Sequence, residues 1–236
     1  SEFLAGISIS VIMGLILTVF SVCLWSASNS FNTAKKVMNQ DPNRALTLFN
    51  QATSLDSLNA AYWNQTANFW EAVFIADKSS QAYQQMMNSC QKAVELEPYN
   101  IKILNNANRI YIETGDYDKA LNLAELLIQA NPQDPAAYEN LAINQVLKGL
   151  QYLDSGDMDK ARAAWTQSLA VKNRVPSQMD FPVVGLNLTS GQALLLLGER
   201  VQGEQYLVAM LNSSAEPVSQ WYGTVQQRND EVHAYR

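Results

Sequence analysis

Histidine occurs once in the chain, at His233, and cysteine twice, at Cys23 and Cys90. One imidazole near the C-terminus excludes a histidine-based triad or metal cluster built within this chain. Two thiols, one in an apolar run and one on an amphipathic helix, make no disulfide framework. Charge is scarce too: Asp, Glu, Lys and Arg make up 16% of residues, with 16 basic against 22 acidic side chains and a net charge of −6. No basic stripe is present, so the electrostatic footprint of a nucleic-acid binder is missing. There is no Gly-rich phosphate loop. The carboxylate pairs Glu95/Glu97 and Asp116/Asp118 fall at turns and solvent faces, where acidic residues are ordinary. These absences point to no cofactor and no catalysis by this chain alone.

What is abundant is Asn and Gln, which makes the polar surface largely amide, and apolar sequence of two kinds. The first kind is FLAGISISVIMGLILTVFSVCLW, residues 3–25, 23 residues without a charge. As a helix rising ~1.5 Å per residue it reaches roughly 34 Å, enough to cross a ~30 Å hydrocarbon layer. Phe3 and Trp25 stand at its ends, where aromatic side chains anchor a span at the interfaces. Only Ser1 and Glu2 precede it, whereas a signal peptide opens with a basic section. Val22 stands before Cys23, where a lipoprotein needs a small residue. The reading is a transmembrane helix over residues 1–27, with a buried core helix as the alternative. The chain does not open on methionine, which suggests a piece of a longer protein. Lys35, Lys36 and Arg44 after the run favour a cytoplasmic downstream domain, although any earlier spans would decide the topology instead. The expected location is a bacterial cell membrane, on an undetermined side.

The second kind of apolar sequence recurs at three- and four-residue intervals, broken only by short Pro and Gly interruptions, and predicts helices throughout. The stretch YIETGDYDKALNLAELLIQANP, Tyr111 to Pro132, reads as two helices around a Gly115-Asp116 turn, with Ala120, Ala124 and Leu127 facing inward. Matching patterns place Ala45, Phe49 and Ala52; Met86, Cys90 and Ala93; and Ala161, Trp165 and Ser168 at corresponding positions. The first inward positions, Ala45, Met86, Ala120 and Ala161, are separated by 41, 34 and 41 residues. A further degenerate unit, GQALLLLGERVQGEQYLVAML, starts at Gly191 with Gly203 at the small position.

This pattern resembles the tetratricopeptide repeat, whose period is ~34 residues. The resemblance implies an all-α fold of helix-turn-helix hairpins stacked into a superhelix. The expected units span about residues 28–59, 60–100, 101–134, 135–173 and 185–214, followed by a capping helix over 218–236, all within a repeat domain of 28–236. Small residues mark where helix axes approach, and Phe49 and Trp165 fill where they diverge. Cys90 is read as packing. The stretch SASNS, Ser26 to Ser30, holds no Pro or Gly, so one nearly continuous helix is expected to leave the apolar run and become the first repeat helix. VKNRVPSQMDFPVVGLNLTSG, Val171 to Gly191, with two prolines, is expected to be irregular, its Phe181, Val183 and Val184 packing over the neighbouring hairpins or, if exposed, serving a partner.

Repeats of this family bind partners in a concave groove lined by the first helix of each hairpin. Asn64 and Asn68, Asn105 and Arg109, and Asn140 and Asn144 are pairs four apart, so each pair shares one helix face. An amide both donates and accepts, so these Asn residues could hold an extended peptide backbone. Arg109, with Lys102 nearby, could take an acidic group or a chain terminus. The expectation is a membrane-anchored scaffold that binds a protein or peptide and forms homo-oligomers if the apolar helix pairs with a copy of itself. The layout also resembles the C-terminal region of bacterial O-antigen ligase and polymerase-like membrane proteins. There an apolar span enters such repeats directly, with junctions like ELEPYN and NPQDPAAYENLA. That resemblance implies a recruiting appendage of a glycan-handling enzyme whose catalytic spans lie upstream. A third alternative is an assembly factor for a membrane complex.

Overall fold

The computed structural model describes residues 2–177 and 184–213. Among them are ten α-helices, one 3-10 turn and no strand. The expected capping helix at 218–236 lies outside the described residues, as do Phe181 and Val183. The chain forms two compact bodies, residues 1–98 and 99–236.

The N-terminal body holds α1 (Glu2–Val37), α2 (Pro42–Leu55), α3 (Ala60–Asp77) and α4 (Ser80–Leu96). Helix α1 runs unbroken through SASNS. The small residues there make a packing seam, with Ala27, Ser30 and Ala34 all buried and three or four residues apart. Small side chains let α2 come close, and Ala52 joins Ala27 and Tyr62 in one cluster flanked by Phe31 and Leu55. Upstream of that seam the same helix has little to lie against. Val11, Ile12, Met13, Leu15, Ile16, Leu17, Val19, Phe20, Val22 and Trp25 are each more than half exposed. Aromatic rings fill the wider spaces between helices. Phe31 stacks on Tyr62 at 4.5 Å, and Phe49 lies 5.4 Å from Phe69.

The C-terminal body holds α5 (Ile101–Glu113), α6 (Tyr117–Ala130), α7 (Pro135–Asp154), α8 (Met158–Ala170), a 3-10 turn (Val171–Arg174), α9 (Val184–Leu197) and α10 (Arg200–Ser213). The hairpins α5/α6, α7/α8 and α9/α10 each pack as antiparallel neighbours. Their turns share one mechanism. Gly115, Gly156 and Gly198 have φ of +75°, +80° and +90°. In each, the glycine N–H reaches a carbonyl three residues back and the next N–H one five back, as in Asp116 N to Tyr111 O at 2.9 Å. Asp116 and Asp157 then cap the following helix. The inward positions behave as the sequence pattern demands: Ala120, Ala124, Leu127, Ala161, Trp165 and Ser168 are all buried. Trp165 lies across the backbone of α7, donating from Nε1 to Val146 O at 3.3 Å.

One expectation is corrected here. The stretch Val171–Gly191 is not irregular to its end, because α9 begins at Val184 and takes in its last eight residues. No proline follows Pro182 within that stretch, and the new helix finds a cap on α7: Glu139 Oε1 accepts from Gly185 N at 3.0 Å. At the centre of the last hairpin, a methyl carbon placed on Gly203 would lie 3.0 Å from Gly191 O. The two helices therefore cross backbone to backbone, and Gly203 occupies the small position its pattern assigns.

Candidate partner-binding face

The sequence-predicted residues divide between the two bodies. Asn64 and Asn68 lie on α3, four residues apart and both half-buried. The Oδ1 of Asn68 is enclosed and receives no hydrogen bond among the described residues. Lys102, Asn105 and Arg109 lie on α5 and are exposed, whereas Asn140 on α7 is half-buried.

Helices α5 and α7 are joined by amide contacts. Asn140 Nδ2 donates to Asn105 Oδ1 at 3.3 Å near the surface. One turn further along α7, Asn144 Nδ2 donates to Asn108 Oδ1 at 2.8 Å and to Ala120 O at 2.9 Å. Two more contacts continue the row: Lys148 Nζ reaches Asp118 Oδ2 at 2.8 Å, and Gln151 Nε2 reaches Gly115 O at 3.1 Å. Positions 140, 144, 148 and 151 share one helical stripe, and it stitches α7 to the preceding hairpin. Asn144 has a relative exposure of 0%. It has no surface within reach of a ligand, and its amide is used inside the fold.

What faces outward is Asn105, Asn140, Lys102 and Arg109. The bond between the two Asn side chains uses one acceptor and one donor. The remaining amide atoms, Asn105 Nδ2 and Asn140 Oδ1, are a donor and an acceptor, the pair that the C=O and N–H of a peptide bond call for. Arg109 is held in place along its own helix, donating to Glu113 Oε1 at 2.9 Å and to Asn106 Oδ1 at 3.1 Å. Its partner Glu113 offsets its charge, so an acidic ligand group would compete with that carboxylate.

The sequence reading missed the polar contacts that bind the elements of the C-terminal body together. Arg174, after the 3-10 turn, pairs bidentately with Glu125 on α6 at 2.7 Å for both nitrogens. The hydrogen bond from Arg174 holds the Glu125 carboxyl below its usual range. Glu139, capping α9, is shifted the other way: burial raises its pKa against the lowering effect of the Gly185 N–H, and Asp134 adds to the rise. Lys148 is buried, and its Nζ also lies 4.8 Å from the centre of the Tyr152 ring. No local pattern marks these residues, because each depends on a neighbour roughly thirty to fifty positions away.

Comparison with known proteins agrees with this architecture. Residues 79–142 match the tetratricopeptide repeat family. Over 100 residues the chain is 29% identical to a photosystem I assembly protein, Ycf3, of Cyanophora paradoxa, covering 39% of this chain and 54% of that protein. Over 120 residues it is 25% identical to the Ycf3 of Prochlorococcus marinus, covering 47% of this chain and 69% of that protein. The chain thus spans about half the length of the first of these relatives. A crystal structure of MamA superposes with a TM-score of 0.53 at 15% identity, covering 79% of this chain and 91% of MamA. The fold is all-α and of tetratricopeptide type.

Proposed function

We propose that the chain is a membrane-anchored tetratricopeptide scaffold that captures a protein partner on the exposed face of its first-of-hairpin helices. The observation that carries the membrane part is the change in packing along α1. Its apolar residues from Val11 to Trp25 face outward, and its buried residues begin at Ala27. An exposed apolar helix of this length is stable in hydrocarbon and costly in water. The capture part is supported by the tetratricopeptide fold and by the outward donor–acceptor pair of Asn105 and Asn140 beside Arg109. Relatives named as photosystem I assembly proteins support placing the partner among subunits of a membrane complex under assembly.

Alanine at Asn105, Arg109 and Asn140 together tests capture. Copurification from native membranes should lose the partner while thermal unfolding stays within a degree or two of the parent. Unchanged capture would sink the assigned face. The rival reading, a recruiting region of a cell-envelope glycan ligase or polymerase, rests on the layout of span and repeats. It predicts that the copurifying material is lipid-linked glycan and the enzyme's own catalytic spans.

A further inference from the structure

Building on the membrane reading of α1, we propose that the turn between α2 and α3, residues 56–59, is a second bilayer contact that sits in the headgroup layer beside Trp25. Helix α1 runs away from its apolar end, α2 returns, and the turn that follows α2 comes back to the level of Trp25. The side-chain contacts set that level. Phe31 stacks on Tyr62, and Ala27 shares a cluster with Ala52, Leu55 and Tyr62. Trp25 lies six residues before Phe31 in α1, about 9 Å along the axis, and Leu58 stands in the turn two residues ahead of the start of α3 at Ala60.

At that level the surface is apolar and short of charge. Leu58 is 77% exposed and Trp25 71% exposed, the largest exposures among the described large hydrophobic side chains of this body. Trp63 stands one turn into α3, and its only polar atom is satisfied by the turn itself, Nε1 donating to Ser57 O at 2.9 Å. An indole with its N–H already paired is suited to the boundary between headgroups and acyl chains. No charged residue lies between Glu2 and Lys35, and Asp56 is the only one between Arg44 and Glu71. Asp56 accepts from Asn59 Nδ2 at 3.1 Å within the turn. Charge gathers at the opposite end of these hairpins, in Lys35 and Lys36 in the last turn of α1, Asp41 and Arg44 at the start of α2, and Asp77 and Lys78 at the end of α3. Helix α4 packs back along α3, so Lys92, Glu95 and Glu97 near its C-terminus return toward the level of the turn, where charged side chains suit the headgroup layer. Among α1, α2 and α3 a lipid interface matches the division of apolar and charged ends. Two contacts, α1 and this turn, would then fix the tilt of the N-terminal body on the bilayer, where a single helix would leave it free to swing.

The test uses the full chain in lipid nanodiscs, where both faces are open to solvent. In a Cys23→Ala, Cys90→Ala background, a single cysteine carrying an environment-sensitive dye is placed by Leu58→Cys, Leu17→Cys or Gln40→Cys, with helicity checked by circular dichroism. The dye at 58 should shift to the blue, be quenched by lipids doxyl-labelled near the headgroup and lose quenching by aqueous iodide. The dye at 40, in the exposed turn at the far end, should do none of these. If the dye at 17 reports lipid while the dye at 58 behaves like that at 40, the second contact is wrong and the anchor stands. If the dye at 17 is open to iodide, the anchor and this contact fall together. Protection of position 58 from iodide without doxyl quenching would mean a protein covers the turn, which also overturns the proposal.

Discussion

Lys78 holds a backbone conformation that suits glycine better. It has φ of +54° at the turn after α3, the place where the later hairpins carry Gly115, Gly156 and Gly198. A β-carbon in the left-handed region costs roughly 1–2 kcal/mol, against which glycine loses more freedom on folding. Lys78→Gly should therefore stabilise the fold by roughly 0.5–1 kcal/mol, while Lys78→Ala should give no gain. Chemical denaturation of the two variants in detergent checks this, and an equal response from both would remove the backbone explanation. The turn at Gly115 was legible because Gly-Asp ahead of an apolar period has a local meaning. Gly149 was not. It sits mid-helix on α7, and a methyl carbon there would run into the Trp165 indole on the next helix. Nothing in the local sequence announces a neighbour's ring.

At the scale of helices, the amides of α7 look alike in sequence and differ in the fold. Asn140 and Asn144 occupy equivalent places in an i, i+4 pattern, yet one is half-buried near the surface and the other ties Asn108 to Ala120 in the interior. Periodicity gives the face of a residue, and only packing gives its depth, so the candidate site was legible as a stripe and not as a set of reachable atoms. Asn144→Ala removes the donor to two buried acceptors and should destabilise by about 2–3 kcal/mol. Asn140→Ala should stay within about 0.5 kcal/mol. Comparable losses from both would mean that Asn140 is also structural. The cap on α9 supplies a pH-dependent counterpart. Burial raises the Glu139 pKa, so the fold favours its protonated form. Its contribution is fully present below the ordinary carboxylate pKa of 4.5 and is lost as pH rises through the raised folded value. Glu139→Gln keeps an acceptor for Gly185 N and removes the titration. The variant should match the parent at acid pH and become relatively more stable on the way to neutrality. A parallel pH dependence for both proteins would show that Glu139 does not titrate in this way.

Across the described residues, the transition from exposed to buried on α1 separates the part that packs into the fold from the part proposed to anchor it. The described residues from Val11 to Trp25 include only Cys23 and Leu24 with partial cover, and the seam that holds α2 starts with Ala27. The exposed stretch adds apolar surface without closing any core, and at roughly 25 cal/mol per Å² that surface is a liability in water. A chain that starts at Ser26 keeps Ala27, Phe31 and Ala34, and with them every contact named between α1 and its neighbours. It should be soluble without detergent and melt within a few degrees of the full chain. It should also leave the pellet when membranes are washed with alkaline carbonate, while the full chain stays. Early melting or aggregation of the shortened chain would show that the run packs onto the repeats, and the reading of α1 as two functions on one helix would then fail.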